Sequence, residues 1–226
     1  MATSARGLAT RLANKEKRRQ YILAQAAEMI ADDGIDSLTL ARLAERSDVT
    51  VPTIHNLLGK KNELLTVLVE ESMAEIMKAG TDRDLSGPIG AVESFVDNLL
   101  GLLATNELYY RAAFIAGERL KYFEHQSASG IFARSIEETR NVCRAAVEQG
   151  DLEGNIAPDN LAIHLFASQR LARQDWMNGY ITLHGYRLQV LEGMFITLCS
   201  DASPALKERL LKKISALAAL REDTAQ

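Results

Sequence analysis

Thr39-Leu40-Ala41-Arg42-Leu43-Ala44-Glu45-Arg46, Ser47-Asp48-Val49, Thr50-Val51-Pro52-Thr53-Ile54-His55-Asn56-Leu57-Leu58 and Gly59-Lys60-Lys61 run consecutively, and their reading decides the fold. Two short helix-compatible runs flank a polar turn. Thr39 and Thr50 stand where a hydroxyl can accept a hydrogen bond from a free helix-start amide. Pro52 falls in the first turn of the second run, where its missing N–H costs nothing. Short helix, turn, short helix is the sequence form of a helix-turn-helix, a unit that lays its second helix in the DNA major groove.

Upstream, Ile22, Leu23, Ala26, Ala27 and Ile30 form one apolar stripe, so a helix is predicted from about Lys15 to Asp33. Gly34 is expected at the left-handed C′ position, with Ile35 touching Ile30. Downstream, Leu64, Leu65, Leu68, Val69, Met73, Ile76 and Met77 mark a fourth helix from Lys61. Thr81–Pro88 is the clearest break, and helix four links across to it. Beyond it, helices are expected over about 89–105, 107–127, 131–149, 159–179 and 183–199, with a last one after Pro204. No strand-like alternation stands out, so the fold class is all-α. The expected domains are an N-terminal arm with a three-helix head over 1–66 and a larger helical domain over 67–226.

Length and composition permit a sizeable core. Net charge is −4 over 226 residues, the wrong sign for a DNA binder until its distribution is read. Residues 1–66 carry ten Lys and Arg against eight Asp and Glu, whereas residues 67–226 carry sixteen against twenty-two. The first twenty residues hold six cations and one acid. A basic end on an acidic body suggests a nucleic-acid face at that end; a solvated tail is the plainer alternative. Cys143 and Cys199 make no metal spacing and suit a reduced compartment. No apolar run is long enough for a membrane span and no signal peptide opens the chain, so a cytoplasmic location is expected.

Enzyme signatures do not occur. There is no GxSxG, no pair of glycines spaced GxG and no Glu-x-x-His, which excludes the corresponding hydrolase, dinucleotide, P-loop and di-iron motifs. His55, His125, His164 and His184 lie far apart in sequence. No catalytic residue, metal or cofactor is expected.

The residues from Ile22 to Leu65 resemble the TetR family of one-component transcriptional regulators. The match is carried by Ile22-Leu23, Ala26-Ala27, Ile30, Gly34-Ile35, Thr39, Leu43-Ala44, Val49-Thr50, Thr53-Ile54, Lys61 and Leu64-Leu65. The rest of the chain resembles the family only in length and helical character. His55 and Asn56 stand where the family usually has an aromatic and a His, Val51 where Lys is common, and Lys60 where a capping Ser or Asp is common.

The resemblance implies a dimer that reads a palindromic operator in double-stranded DNA, most often as a repressor released by a small-molecule effector. Base readout is expected from Thr53, His55 and Asn56, with Val51 and Pro52 against thymine methyls. Phosphate contacts are expected from Thr39, Thr50, Lys60 and Lys61, and from Lys15, Lys17, Arg18 and Arg19. The further arm, Arg6 to Arg11, either reaches a minor groove or stays disordered.

The candidate effector-binding residues are Leu103, Tyr110, Phe114, Glu118, Phe132, Phe166, Arg170 and Trp176; ordinary core packing is the alternative for the aromatics. The implied dimer bundle draws on Leu161, Leu165, Ala172, Leu188, Leu191, Phe195 and Leu198, with intrachain core as the alternative for each. An all-helical ligand- or protein-binding module whose helix-turn-helix has lost DNA is the competing reading of the whole chain.

Overall fold

In the computed structural model, which describes residues 2–80, 86–127 and 130–224, the described residues form ten α-helices and no strand. They are α1 (Ala2–Asp33), α2 (Leu40–Arg46), α3 (Val51–Leu58), α4 (Lys61–Ala79), α5 (Pro88–Thr105), α6 (Glu107–Arg119), α7 (Ile131–Glu148), α8 (Pro158–Met177), α9 (Leu183–Cys199) and α10 (Pro204–Thr224). A single 3-10 turn, Ile35–Ser37, follows α1. None of these helices is long and apolar enough to cross a membrane.

The chain divides into two compact units. One contains residues up to Glu75 together with Asn106–Tyr122; the other contains Ile76–Thr105 and the residues from Phe123 on. The sequence expectation put one cut at 66/67. That cut and the division into units both fall inside α4, nine residues apart, and α6 joins the N-terminal unit.

In the N-terminal unit, α1 packs on α2, α3 and α6. Ile22, Leu23, Ile30, Leu43, Ile54 and Leu64 are fully or almost fully buried there. This is the apolar stripe of α1 meeting the inner faces of the short helices. In the C-terminal unit, α8 packs on α7 and α9, and α9 also packs on α5 and α10. Trp176, Tyr186 and Phe195 are its fully buried aromatics. Gly193 lets α8 and α9 approach closely, since a Cβ there would lie 2.9 Å from the Cβ of Ser168.

Helix ends explain most departures from the sequence expectation. α1 starts at Ala2 rather than near Lys15, because Ala, Leu and Arg dominate the preceding residues and no proline interrupts them. The expected arm is thus helix. α6 stops at Arg119, eight residues short of the expected Ser127. Lys121 takes φ +57°, and the Tyr122 and Lys121 amides donate back to the carbonyls of Gly117 and Glu118. That is a Schellman ending with lysine where glycine is usual. Gly34 does take a positive φ, +81°, but its ψ of 160° is extended rather than left-handed helical. One bond, from its amide to the Ile30 carbonyl, closes α1.

Candidate nucleic-acid interface

The turn between α2 and α3 is built by backbone geometry. Asp48 takes φ +51°, and the amides of Asp48 and Val49 donate to the carbonyls of Glu45 and Ala44. This Schellman ending reverses the chain within three residues, and Asp tolerates the left-handed region better than most residues. Both predicted caps are present. The Thr39 hydroxyl accepts from the Arg42 amide at 3.2 Å, and the Thr50 hydroxyl accepts from the Thr53 amide at 3.3 Å. The hydroxyls of Thr50 and Thr53 also hydrogen-bond to each other at 2.9 Å.

α3 buries Ile54 and Leu58. Pro52, His55 and Asn56, at i, i+3 and i+4, are exposed together, with Val51 and Thr53 half-buried beside them. The expected reading residues therefore share the outer side of one short helix. Glu63 supplies the start cap of α4 in place of the usual Ser or Asp: its carboxylate accepts from the Lys60 amide at 2.7 Å, as the acidic partner does in a capping box. Gly59 makes room for it. Gly59 has φ +76°, and a Cβ there would sit 1.9 Å from Glu63 Oε2.

The cations of this unit fall into two groups. Arg42 pairs with Asp33 at 2.8 Å, and Arg46 pairs with Glu28 at 2.9 Å. Arg19 pairs with both Glu16 and Glu71. Burial is the largest single influence and works against the Arg19 charge, but the bonds and charges of Glu71 and Glu16 together outweigh it and hold the guanidinium above its ordinary pKa. The Lys61 ammonium donates to the Ile35 carbonyl at 2.9 Å. Arg11, Lys15, Lys17 and Arg18, by contrast, are exposed and carry no ion pair or side-chain hydrogen bond among the described residues. Arg19 and Lys61, both expected at phosphates, are thus held by partners in their own unit. Lys60 is exposed near the start of α4.

Arg11, Asn14, Lys15 and Arg18 of α1 face Thr53, Asn56 and Leu57 of α3 across a groove of about 360 Å³. Asn14 was not among the expected contacts, and Arg11 was expected either at a minor groove or in a disordered arm. Their signal was the i, i+3, i+4, i+7 spacing, which is legible only once the arm is read as helix. The side chain of Arg6 lies outside the described residues.

The expected effector residues separate. Tyr110, Phe114 and Glu118 belong to the N-terminal unit, whereas Leu103, Phe132, Phe166, Arg170 and Trp176 belong to the C-terminal one. Tyr110 and Phe114 are buried, and the Tyr110 hydroxyl donates to Glu75. In the C-terminal unit, Phe132 stacks on His125 at 3.7 Å and meets Phe166 edge-on at 5.2 Å. Arg170 is exposed. One turn on, the buried Arg173 places its guanidinium over the Phe123 ring at 4.6 Å. Gln169 donates to the Tyr186 hydroxyl at 2.9 Å, and burial pushes that phenol up to about 12. Among the described residues, no cluster of three or more His, Cys, Asp or Glu is arranged to hold a metal.

Leu161, Leu165, Ala172, Leu188, Leu191, Phe195 and Leu198 are all at most 4% exposed within the single chain. They are intrachain core rather than a surface for a second copy, because α8 and α9 use those stripes on each other and on α5, α7 and α10. The apolar side chains these helices leave exposed are Ile163, Leu171 and Ile196.

Residues 22–68 match the sequence model of bacterial regulatory proteins of the tetR family. No curated protein matches the chain. Among solved structures, CprB, a TetR family protein from S. coelicolor A3(2), is 18% identical and superposes with a TM-score of 0.66, covering 90% of this chain and 97% of its own. A gamma-butyrolactone receptor described as ArpA-like is also 18% identical, with a TM-score of 0.63 and coverage of 92% and 99%. A TetR-family transcriptional regulator from Marinobacter aquaeolei VT8 is 12% identical, with a TM-score of 0.66 and coverage of 88% and 98%. At these identities the likeness shows the fold.

Proposed function

We propose that this chain is a DNA-binding regulator of the tetR kind, which residues 22–68 match, and that it acts as a ligand-responsive repressor. Two copies bind a palindromic operator, and a small molecule releases them. The observation that carries this reading is the outer side of α3, where Pro52, His55 and Asn56 are exposed beside unpaired cations of α1. Thr53, His55 and Asn56 read base edges, and Val51 and Pro52 meet thymine methyls. Thr39, Thr50, Lys60 and the basic side of α1 hold phosphates. Lys61 acts through its bond to the Ile35 carbonyl, which ties the start of α4 to the turn after α1.

The division of labour keeps DNA reading in 1–66 and effector binding and dimerisation in 67–226. A single short helix reads only a few base pairs, so a two-fold dimer supplies the second half-site. Its contact surface is the side of α8 and α9 that carries Ile163, Leu171 and Ile196. The effector site is assigned to the C-terminal unit, around Leu103, Phe132, Phe166, Arg170 and Trp176. One structure of this fold is described as a gamma-butyrolactone receptor, which supports a small organic effector. Release follows only if the effector prefers a state whose reading heads no longer match the groove spacing. Moving a population from 1:99 to 99:1 takes about 5.5 kcal/mol of preference.

One feature favours the competing module: α3 carries no Lys, Arg, Asp or Glu. Selection of the full chain against a random duplex library separates the two readings. An enriched inverted repeat is expected, with Asn56→Ala costing about 1–3 kcal/mol at the base it reads. No enrichment at low salt, with and without candidate effectors, would leave the module.

A further inference from the structure

We propose that the buried amide of Gln169 is the polar anchor of the effector site, where its Oε1 takes the hydroxyl hydrogen of an uncharged ligand whose apolar body lies against Phe132 and Phe166. This rests on the reading of the C-terminal unit as the effector-binding part.

Ala162, Phe166, Gln169, Arg173 and Trp176 share one face of α8, at i, i+4, i+7, i+11 and i+14. Ala162 and Trp176 are fully buried and Gln169 is 8% exposed. An amide in that position has two ends to satisfy. Its Nε2 donates to the Tyr186 hydroxyl at 2.9 Å, and the Tyr186 ring packs beside Trp176 at 5.8 Å. Its Oε1 is buried and has no hydrogen-bond partner among the described residues. Buried polar atoms are nearly always paired, because an unmet one has given up its bonds to water for nothing. An apolar side chain of similar volume would pack there without that cost. An amide held at one end by Tyr186 and open at the other is set to receive a donor from outside the chain.

Phe166 lies one turn before Gln169 on the same face, a separation of about 5–6 Å between Cβ atoms. It is only half-buried, as is Phe132 of α7, and the two rings meet edge-on at 5.2 Å. The exposed His125 stacks on the far ring, Phe132, at 3.7 Å. An aromatic rim open to solvent thus stands one helical turn from the open end of the amide. Apolar walls with a single placed polar group are the usual make-up of a small-molecule site.

The open atom also selects the ligand's head. Oε1 accepts and cannot donate, so a carboxylate would set acceptor against acceptor. An ammonium would meet the positive charge of Arg173, which is felt at the Tyr186 hydroxyl. An ether brings no hydrogen. A hydroxyl brings one without burying a charge.

The test is binding to the full-length protein of four probes that share one alkyl chain and differ at its head: n-octanol, octyl methyl ether, octanoate and octylammonium. Trp176 is the only tryptophan of the chain, and none of the probes absorbs where it is excited, so its fluorescence reads binding without DNA. n-Octanol should bind saturably. The ether should bind about five- to tenfold more weakly, the worth of one hydrogen bond, and both ions at least about tenfold more weakly. Gln169→Leu should bring alcohol and ether to equal affinity, whereas Phe166→Ala should weaken both alike and keep their ratio.

An ether that binds as well as the alcohol overturns the anchor, since Nε2 would then face the ligand. So does a preference for either ion, or a Gln169→Leu variant that keeps the alcohol's advantage. The series in the unmodified chain decides by itself if Gln169→Leu does not fold. Absence of saturable binding by every probe overturns the anchor and leaves the repressor reading standing; a trapped water then satisfies Oε1. An alcohol that binds with the expected preference but leaves operator retention unchanged upholds the anchor and overturns release through this site.

Discussion

The N-terminal unit closes its helices with neighbours in sequence, whereas the C-terminal unit closes a loop with a residue from far along the chain. Thr39 caps α2 through the Arg42 amide, Thr50 caps α3 through the Thr53 amide, and Glu63 caps α4 through the Lys60 amide. All three spans are three residues. In the C-terminal unit, the buried Asp201 carboxylate accepts from the amides of Gly154, Asn155 and Ile156, 45–47 residues away. The strand-like bridge of Leu152 with Ala202 lies next to it. A head whose short helices are capped within three residues can carry its signature in one stretch of sequence. A body that adds a long-range closure such as Asp201 to its local caps spreads its signature over distant segments.

The largest expected effect breaks the long-range device. Asp201→Ala leaves three amides without their acceptor in a site where Asp201 is 2% exposed. Unsatisfied donors cost about 1–3 kcal/mol each and do not add fully, so a loss of roughly 3–5 kcal/mol is expected in urea unfolding. A loss under 1 kcal/mol would mean that the loop over 150–158 is held by its own turns.

Gly59→Ala should rank second, and it probes the short-range device. It places a side chain at φ +76° and drives a Cβ into the Glu63 carboxylate. Backbone strain of this kind costs about 1–3 kcal/mol. The added Glu63→Ala should recover only the steric part. Full recovery in the double variant would show that φ is not the constraint.

Alkaline pH separates the units in degree: burial raises the Tyr109 phenol in the N-terminal one, but the acids raised furthest, Cys143 and Tyr186, lie in the C-terminal one. Burial pushes the Cys143 thiol up to about 11, helped by the Asp201 charge, and pushes Tyr186 up to about 12. The unfolded chain loses these protons first, so it binds fewer of them than the folded chain between the two pKa values. Stability is therefore full below about pH 9 and falls as pH rises through 11 and 12. The thiol alone should account for about 3 kcal/mol. Cys143→Ala should flatten the pH 9–11 part of a urea titration; an unchanged slope there would assign the loss to other groups.

The same contrast explains what was legible in the sequence. The caps at Thr39 and Thr50, the buried stripe of α1 and the start of α9 depend on residues within a turn or two, and they could be read from spacing. The end of α6 could not, because Lys121 gives no left-handed signal of the kind glycine gives. The α1 row Arg11, Asn14, Lys15 and Arg18 was hidden by reading a basic run as an arm. The stripes of α8 and α9 were legible as apolar but not as to partner. Leu165 facing its own chain and Leu165 facing a second copy have the same periodicity, and only burial against α7 and α9 distinguishes them. The return of α6 to the N-terminal unit depends on contacts between distant segments that no local pattern encodes.

Thr50→Ala tests the head at smaller scale. It removes the cap on Thr53 and the partner of the Thr53 hydroxyl, for a loss of about 1 kcal/mol. Thr50→Ser should restore the stability. If Thr50→Ala also changes the preferred operator sequence, Thr53 depends on Thr50 for its orientation toward the base.

The smallest expected effect has the opposite sign. Asp48 holds the turn of the helix-turn-helix at φ +51°, where an L residue pays a steric cost that glycine does not. Asp tolerates this region better than most residues, and glycine gives back part of any gain through the entropy of the unfolded chain. Asp48→Gly should therefore stabilise the head by only about 0.5 kcal/mol, read as a raised urea midpoint with unchanged slope. A loss instead would mean that the Asp48 side chain contributes more to the turn than its backbone strain costs. In that case the sequence signal for this turn would lie in Asp48 itself and not in the bare geometry of a Schellman ending.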